Sequence, residues 1–397
     1  MMMISDLPGD LEEEILSRVP AKSLWELKTT CKRWYTLFRD PKFVEKNTKL
    51  SKAVRESILL SNDMVCSIAG DLHSSGFNTG IEFTGKLKSL KHSEDLKFSH
   101  IFHCDGLMLC STERNNRLVV WNPCTGQRRN IEPKTCYGSN DTYALGYSRS
   151  SSSVHCYKIL RWFYHQNEKK EWINGCEIYE LYSDSWRVLD SFTRDYTFVF
   201  EGMSLKGDTY FVAQDNEAGA FLMKFDFTTE RFVRLPLPIP SLYFHDASFN
   251  NPENIVALSV VKDDKLSVLH QNIYPWSNVM RIWVTNKVYE DLSWRSDFVF
   301  TVDFEKFDLP SVVNVTSFLL DEENKVAVCC DKDPDDKDKT RMYIVGEDMY
   351  KQVYKDNVAA SRFNWPLVLT YAPSLVRIQN RTPRKRKRRR LTLKCIT

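Results

Sequence analysis

Glycine is scarce, with 14 residues in 397. No Gly-rich run is available to cradle a phosphate on backbone N–H groups, and no Gly-x-Ser-x-Gly elbow presents a nucleophilic serine. No apolar run reaches the roughly 20 residues that cross a bilayer as a helix, so no membrane partner is expected. The Met-rich start lacks a basic segment, an apolar core and a cleavage site in series, and does not read as a secretory signal. Eleven cysteines are present, but none in paired Cys-x-x-Cys spacing. An odd count in a long chain points to reduced thiols in an intracellular setting. His100, His103, Cys104 and Cys110 lie close together without the distant second pair of a zinc site, so no metal is expected. Asp105, Asp226 and Asp303 stand singly near turns, where carboxylates cap local N–H groups. No catalytic residue and no cofactor are implied, and the chain reads as a non-enzymatic binding protein.

The first fifty residues do carry a pattern. Asp6 and Pro8 mark a helix start, with Glu12, Glu13 and Glu14 near the positive end of its dipole. Leu11, Ile15, Leu16 and Val19 form one apolar stripe at helical spacing, and Pro20 ends it. Leu24, Leu27, Cys31, Trp34 and Phe38 follow at steps of three and four, with a break at Thr29 and Thr30. Asp40-Pro41 starts a last piece ending near Lys49, with Phe43 and Val44 inward. Such a unit, of roughly 45 residues, is too small to bury a core alone. Either it caps the remaining chain, or an apolar face of it is covered by a partner.

The string Leu7-Pro8-x-x-Leu11-x-x-x-Ile15-Leu16-x-x-Val19-Pro20-x-Lys22-Ser23-Leu24, followed by Cys31-Lys32-x-Trp34 and Asp40-Pro41-x-Phe43, resembles the F-box. It departs from the common pattern at Glu26 and Lys28, where many members carry arginine, and at Thr30. The resemblance implies binding to the Skp-type adaptor of a cullin–RING ubiquitin ligase. Carried over by position, Leu7, Pro8, Leu11, Ile15, Leu16 and Leu24 face the adaptor. Trp34 and Cys31 pack inside or at the edge of that interface.

After about Leu50 the period changes. Short apolar or alternating runs rich in Val, Ile, Tyr, Phe and Trp replace helical spacing, with polar turns between them, which gives an all-β sandwich, barrel or propeller. A weak repeat chooses among these. A strand runs into a polar turn at Trp121, Tyr182, Asp226, Thr285 and Val345, at intervals of roughly 45 to 60 residues, near one four-stranded blade plus loops. A β-propeller of about six blades is the first choice and a large β-sandwich the second. The run from Trp365 to Tyr371 is expected to pair with a strand near Ser57–Ala69 and close the ring. Trp121, Trp186, Trp283 and Trp294 are expected between blades with their indole N–H groups bonded to turns. Trp162, Phe163, Tyr164 and Trp172 flank a long hairpin tip, and Tyr274-Pro275-Trp276 sits in a loop; either is a candidate partner contact. Cys329 and Cys330 point to opposite faces of a strand, so at most one is buried. Asp331–Lys339 reads as a solvated loop.

The same region resembles the F-box-associated interaction domain of plant F-box proteins, a kelch-like fold. His103-Cys104-Asp105-Gly106-Leu107, Trp121-Asn122-Pro123-Cys124-Thr125-Gly126 and Tyr371-Ala372-Pro373-Ser374-Leu375 carry that likeness. It implies a domain that holds a protein substrate, whose binding residues stay unknown.

Charge is unevenly spread. The formal net charge is +3, yet the tail from Arg381 holds nine basic residues and no acid; removing those nine leaves −6 for the body. Arg384, Lys385, Arg386, Lys387, Arg388, Arg389 and Arg390 form one run that repels itself and stays hydrated. It offers extended charge to an import receptor, which places the protein in the nucleus as well as the cytoplasm. The competing readings are a tail that binds nucleic acid, with no role for the adaptor, a contact with anionic membrane, or a tail that only aids solubility.

The expected organisation is a helical domain over 1–49, a β domain over 50–378 and a basic tail over 379–397. The expected function is substrate recognition within an SCF-type ubiquitin ligase.

Overall fold

The structure, a computed structural model, describes residues 7–50, 56–61, 64–68, 87–89, 98–112, 117–133, 141–149, 155–166, 172–189, 196–198, 202–215, 219–239, 254–262, 264–274, 277–286, 293–295, 299–309, 312–336, 338–359 and 365–378. Asp6 and the basic run at 384–390 lie outside these residues. Four short helices come first: α1 (Gly9–Ser17), α2 (Ala21–Leu27), α3 (Lys32–Leu37) and α4 (Pro41–Leu50). The break between α2 and α3 covers Thr29 and Thr30. Cys31 then caps α3, its sulfur accepting from the Trp34 N–H at 3.4 Å. Asp40 caps α4, its Oδ1 accepting from the N–H groups of Lys42 and Phe43 at 2.8 and 3.1 Å.

Six antiparallel sheets follow. β1 (Glu56–Ser61), β2 (Met64–Ile68) and β3 (Leu87–Ser89) belong to the first blade. The second holds β4 (Phe98–Cys104), β5 (Leu107–Thr112), β6 (Leu118–Asn122) and β7 (Gln127–Ile131). The third holds β8 (Thr142–Arg149), β9 (His155–Gln166), β10 (Trp172–Glu180) and β11 (Ser185–Val188). The fourth holds β12 (Thr197–Phe198), β13 (Met203–Leu205), β14 (Asp208–Asp215), β15 (Gly219–Asp226) and β16 (Arg231–Leu235). β17 (Asn254–Val261), β18 (Lys265–Tyr274), β19 (Ser277–Val284) and β20 (Phe300–Asp303) make the fifth. β21 (Ser317–Asp321), β22 (Val326–Asp333), β23 (Lys339–Gly346) and β24 (Met349–Ala359) make the sixth, and β25 (Leu367–Tyr371) ends the ring. This is a six-bladed β-propeller, not a sandwich.

The ring closes as the sequence predicts. β25 returns to the first blade and pairs antiparallel with β1, from Glu56 opposite Tyr371 to Leu60 opposite Leu367. The last strand of the chain is thereby the inner strand of the first blade, which joins the two ends of the ring in one sheet. Neighbouring blades pack through their innermost strands, in the order β4, β8, β13, β17, β21 and β25. Burial falls outward across the second, third and fourth blades, while in the fifth the outermost strand β20 still buries Phe300 and Val302. β6 is buried along its whole length, whereas the outermost strands β11 and β16 are largely exposed.

Local chemistry sets the hairpins. Asp105 and Gly106 have φ of 54° and 80°, and Lys206 and Gly207 have 53° and 90°. Two left-handed residues in a two-residue turn match the twist of the flanking strands. The turns between third and fourth strands follow another rule. Asn122 Oδ1 accepts from the N–H groups of Cys124 and Thr125 at 2.9 and 3.2 Å, and Asp226 Oδ1 from those of Thr228 and Thr229 at 2.7 and 3.1 Å. Because alternate strands reverse direction, both kinds of turn lie on one face of the ring.

Blades are tied to their neighbours. Arg129 of the second blade donates to the Tyr179 hydroxyl and to Asp184 of the third, at 2.7 and 2.6 Å. The Trp186 indole donates to Glu132 O at 2.7 Å, and that of Trp294 to Pro236 O at 2.8 Å, each reaching back one blade. Trp121 differs from expectation: it is fully buried, but its indole nitrogen has no hydrogen-bond partner among the described residues. Trp162 packs against Phe198 and Phe211, with ring centroids 4.7 and 4.8 Å away, so it faces the next blade and not a rim. The side chains of Tyr164, Trp172, Tyr274 and Trp276 lie outside the described residues.

Two further expectations are corrected. Cys329 and Cys330 are both fully buried. Alternation does send them to opposite faces, but a blade is covered on both faces by its neighbours. The charged run beginning at Asp331 is not a solvated loop at its start. β22 extends through Asp333, and Asp331, Lys332 and Asp333 are all buried. Arg341 holds Asp331 at 2.5 and 2.8 Å, and Lys355 holds Asp333 at 2.8 Å. Pairing lets these charges enter the sheet.

His270 on β18 gives the fold a pH dependence. Burial, with Arg281 opposite it in the sheet, pushes its imidazole down from 6.5 to about 4. Its Nε2 lies 2.9 Å from Asn254 Oδ1. A depressed imidazole pKa favours folding above the unfolded value and is a liability below it. Stability drawn from neutral His270 is therefore complete above pH 6.5 and drains away as pH falls to about 4. The loss is on the order of 3 kcal/mol. Urea unfolding at pH 7 and pH 4 measures it, and His270→Gln is expected to flatten that part of the profile.

Candidate functional site

The candidate site is an apolar ridge on α1. Nine helical residues give that helix two faces. Positions four apart share a face, so Leu11 and Ile15 stand together with Pro8 one turn before them. Leu11 is 50% exposed and Ile15 44%; Pro8 is exposed and Leu7 half-buried. Leu27 and Tyr35 add exposed apolar area on α2 and α3.

The opposite face holds Glu12 and Leu16, both buried. Leu16 joins Ala21, Leu24, Phe38, Phe43 and Val44 in the core of the helical unit. Leu16 and Leu24 therefore do not face outward, contrary to the positional reading. The single stripe read from the sequence splits because Ile15 and Leu16 point about 100° apart on a helix of 3.6 residues per turn. Leu24→Ala is expected to destabilise the helical unit by about 2–5 kcal/mol, as buried leucine truncations do. Chemical denaturation followed by the helical circular-dichroism signal checks this.

Trp34 is half-buried, and its indole donates to Glu12 Oε1 at 2.6 Å. Arg33 reaches Glu12 Oε2 at 2.6 Å. Glu12 thus holds α3 against α1 from inside. In the sequence it is one of three consecutive acids and looks like a dipole cap, so its inward role was not legible. Cys31 is exposed and serves as a cap. Lys46 and Arg18 hold the Glu14 carboxyl below its usual range, and Lys46 lies 2.8 Å from it. Asn47 donates to Ser17 O and Val19 O at 3.0 and 2.8 Å, fixing the corner between α1 and α2. The ridge is backed by a packed and hydrogen-bonded support, and among the described residues no element covers it.

The ridge is not built to react. Its polar neighbours are paired carboxylates and cations, and the ridge itself is aliphatic. What it can do is exclude water against a complementary surface.

Comparison with known proteins places both parts. Residues 4–46 match the F-box domain model, and residues 56–378 match the F-box associated beta propeller domain model. A relative from Arabidopsis thaliana is 57% identical over 399 residues, covering 98% of each chain. An F-box/kelch-repeat protein of the same plant is 53% identical over 390 residues, covering 97% of this chain and 98% of its own. A second F-box/kelch-repeat protein of that plant is 38% identical over 408 residues, covering 95% and 100%.

Proposed function

We propose, because this chain belongs to the F-box proteins that carry an F-box associated beta propeller domain, that it is the substrate-recognition subunit of an SCF-type ubiquitin ligase. Proteins of this make-up are typically SCF substrate receptors. The observation that carries the reading is the exposed aliphatic ridge of Pro8, Leu11 and Ile15, backed by the packed F-box cluster. It supports docking to a helical surface of the Skp-type adaptor, and through it to a cullin–RING scaffold. Glu26 and Lys28 do not interrupt the ridge, since both lie on α2 or at its end.

In this reading the propeller holds the target protein. The F-box fixes that target beside the charged conjugating enzyme, so its lysines react at high effective concentration. The chain contributes position and no catalytic group. Co-purification from plant cells tests the assignment. The full chain is expected to bring down the Skp-type adaptor and a cullin, and Leu7→Ala/Pro8→Ala is expected to lose both. Equal recovery by wild type and variant overturns it.

The run at 384–390 serves as a nuclear import signal in this proposal. A fluorescent fusion lacking residues 379–397 is expected to leave the nucleus, and unchanged distribution removes that part of the proposal.

A further inference from the structure

The F-box core contains one residue from the far end of the chain. Leu375, 1% exposed, packs with Leu16, Leu24, Phe38 and Phe43. It belongs to a strap, residues 372–378, that leaves β25 and crosses the turns of the second blade. The strap is fastened on the propeller side. Asn122, fully buried, donates from Nδ2 to Ser374 O and Val376 O at 3.0 and 2.7 Å. The Ile378 N–H donates to Gln127 Oε1 at 3.0 Å, and Ile378 is buried in the propeller core. A Cβ built on Gly106 would lie 2.3 Å from the Ser374 Cβ, so the second-blade turn and the strap touch without room between them. Val376 packs against both the F-box cluster and the propeller cluster. Cys124 packs on the F-box, while its N–H donates to the Tyr371 hydroxyl at 3.1 Å.

We infer that the strap makes the F-box conditional on ring closure. A helical unit this small lacks the apolar area to hold itself together. Its missing side chain arrives only when β25 has paired with β1, because the strap starts at the next residue. A chain whose propeller has not closed leaves the F-box core open and the ridge unsupported. The same joint ties the F-box to the second blade directly, so a bound target keeps a fixed orientation to the ridge. The adaptor half of this inference rests on the function proposed above; the coupling itself does not.

Hydrogen exchange on the full-length protein, with titration of the purified Skp-type adaptor, tests it. Leu375→Ala is expected to speed exchange in α1 and α4 by about tenfold or more, as truncation of a buried leucine does. Adaptor binding is expected to weaken by a similar factor, while β8 to β24 keep their protection. Leu375→Met, which keeps apolar volume, is expected to restore both, and deletion of 379–397 to change neither. Protection of α1 and α4 that is unchanged in Leu375→Ala overturns the inference. So does loss of protection spread equally over all blades, which would make the strap part of ring stability only. If the wild type does not bind the adaptor but the exchange pattern holds, the coupling stands and the adaptor assignment falls.

Discussion

Leu11→Asp/Ile15→Asp is expected to abolish measurable capture of the Skp-type adaptor while the protein stays folded. Both side chains are about half exposed and make no part of the buried F-box cluster. Exposed substitutions of this kind change folding stability by only about 0.5 kcal/mol. At an interface the same positions become central apolar anchors, and each such anchor carries about 2 kcal/mol or more. Two of them, each replaced by a charge that must be desolvated, give an affinity loss of at least about a hundredfold. Titration of the purified adaptor, beside a thermal melt of the variant, separates binding from folding. An unchanged melt with unchanged affinity would mean that the ridge is not the docking surface. Leu24→Ala reverses the order of effects, with folding damaged first and binding lost only as a consequence.

Arg161→Met is expected to cost on the order of 3–5 kcal/mol of folding stability, the usual result of removing one partner from a buried ion cluster. Arg161 is fully buried on β9. Its guanidinium donates to Asp141 Oδ2 at 2.9 and 2.6 Å and to Glu177 Oε2 at 3.0 Å. Without it, two carboxylates of 1% and 5% exposure lose the guanidinium they share. Arg161→Lys is expected to recover little, since one ammonium cannot reproduce the two-sided fork. The triple change Arg161→Met/Asp141→Leu/Glu177→Leu is expected to recover most of the loss, because it removes the two buried carboxylates along with the cation they shared. Urea unfolding of the three variants against wild type measures this. Equal stability of Arg161→Met and wild type would show that the cluster contributes nothing.

Legibility differed by scale. The F-box spacing, the change of period after Leu50 and the repeat through Trp121, Asp226 and Thr285 are one-dimensional signals. They led to a small helical F-box unit, a propeller-like ring and its closure by the run ending at Tyr371, and the number of strands to six blades. The site was legible in part. Pro8, Leu11 and Ile15 stand outward as position implied, but Leu16 and Leu24 turn inward, since a four-residue stripe cannot say where a short helix meets its core. Arg161 and Asp331 were missed for a different reason. Charge in a strand reads as exposure, and only a blade clasped between two neighbours brings the compensating partner from another strand. Leu375 was missed because it lies more than 300 residues from the core it completes. Its motif was visible, but its partner was not, and no local period records such a contact.

The most direct measurement is titration of the purified full-length chain with purified Skp-type adaptor, followed by heat of binding. The proposed function predicts saturation at one adaptor per chain, with a heat-capacity decrease as the aliphatic ridge leaves water. Absence of binding at adaptor concentrations of about 100 μM, where an interface worth even about 6 kcal/mol would be well populated, would contradict the account.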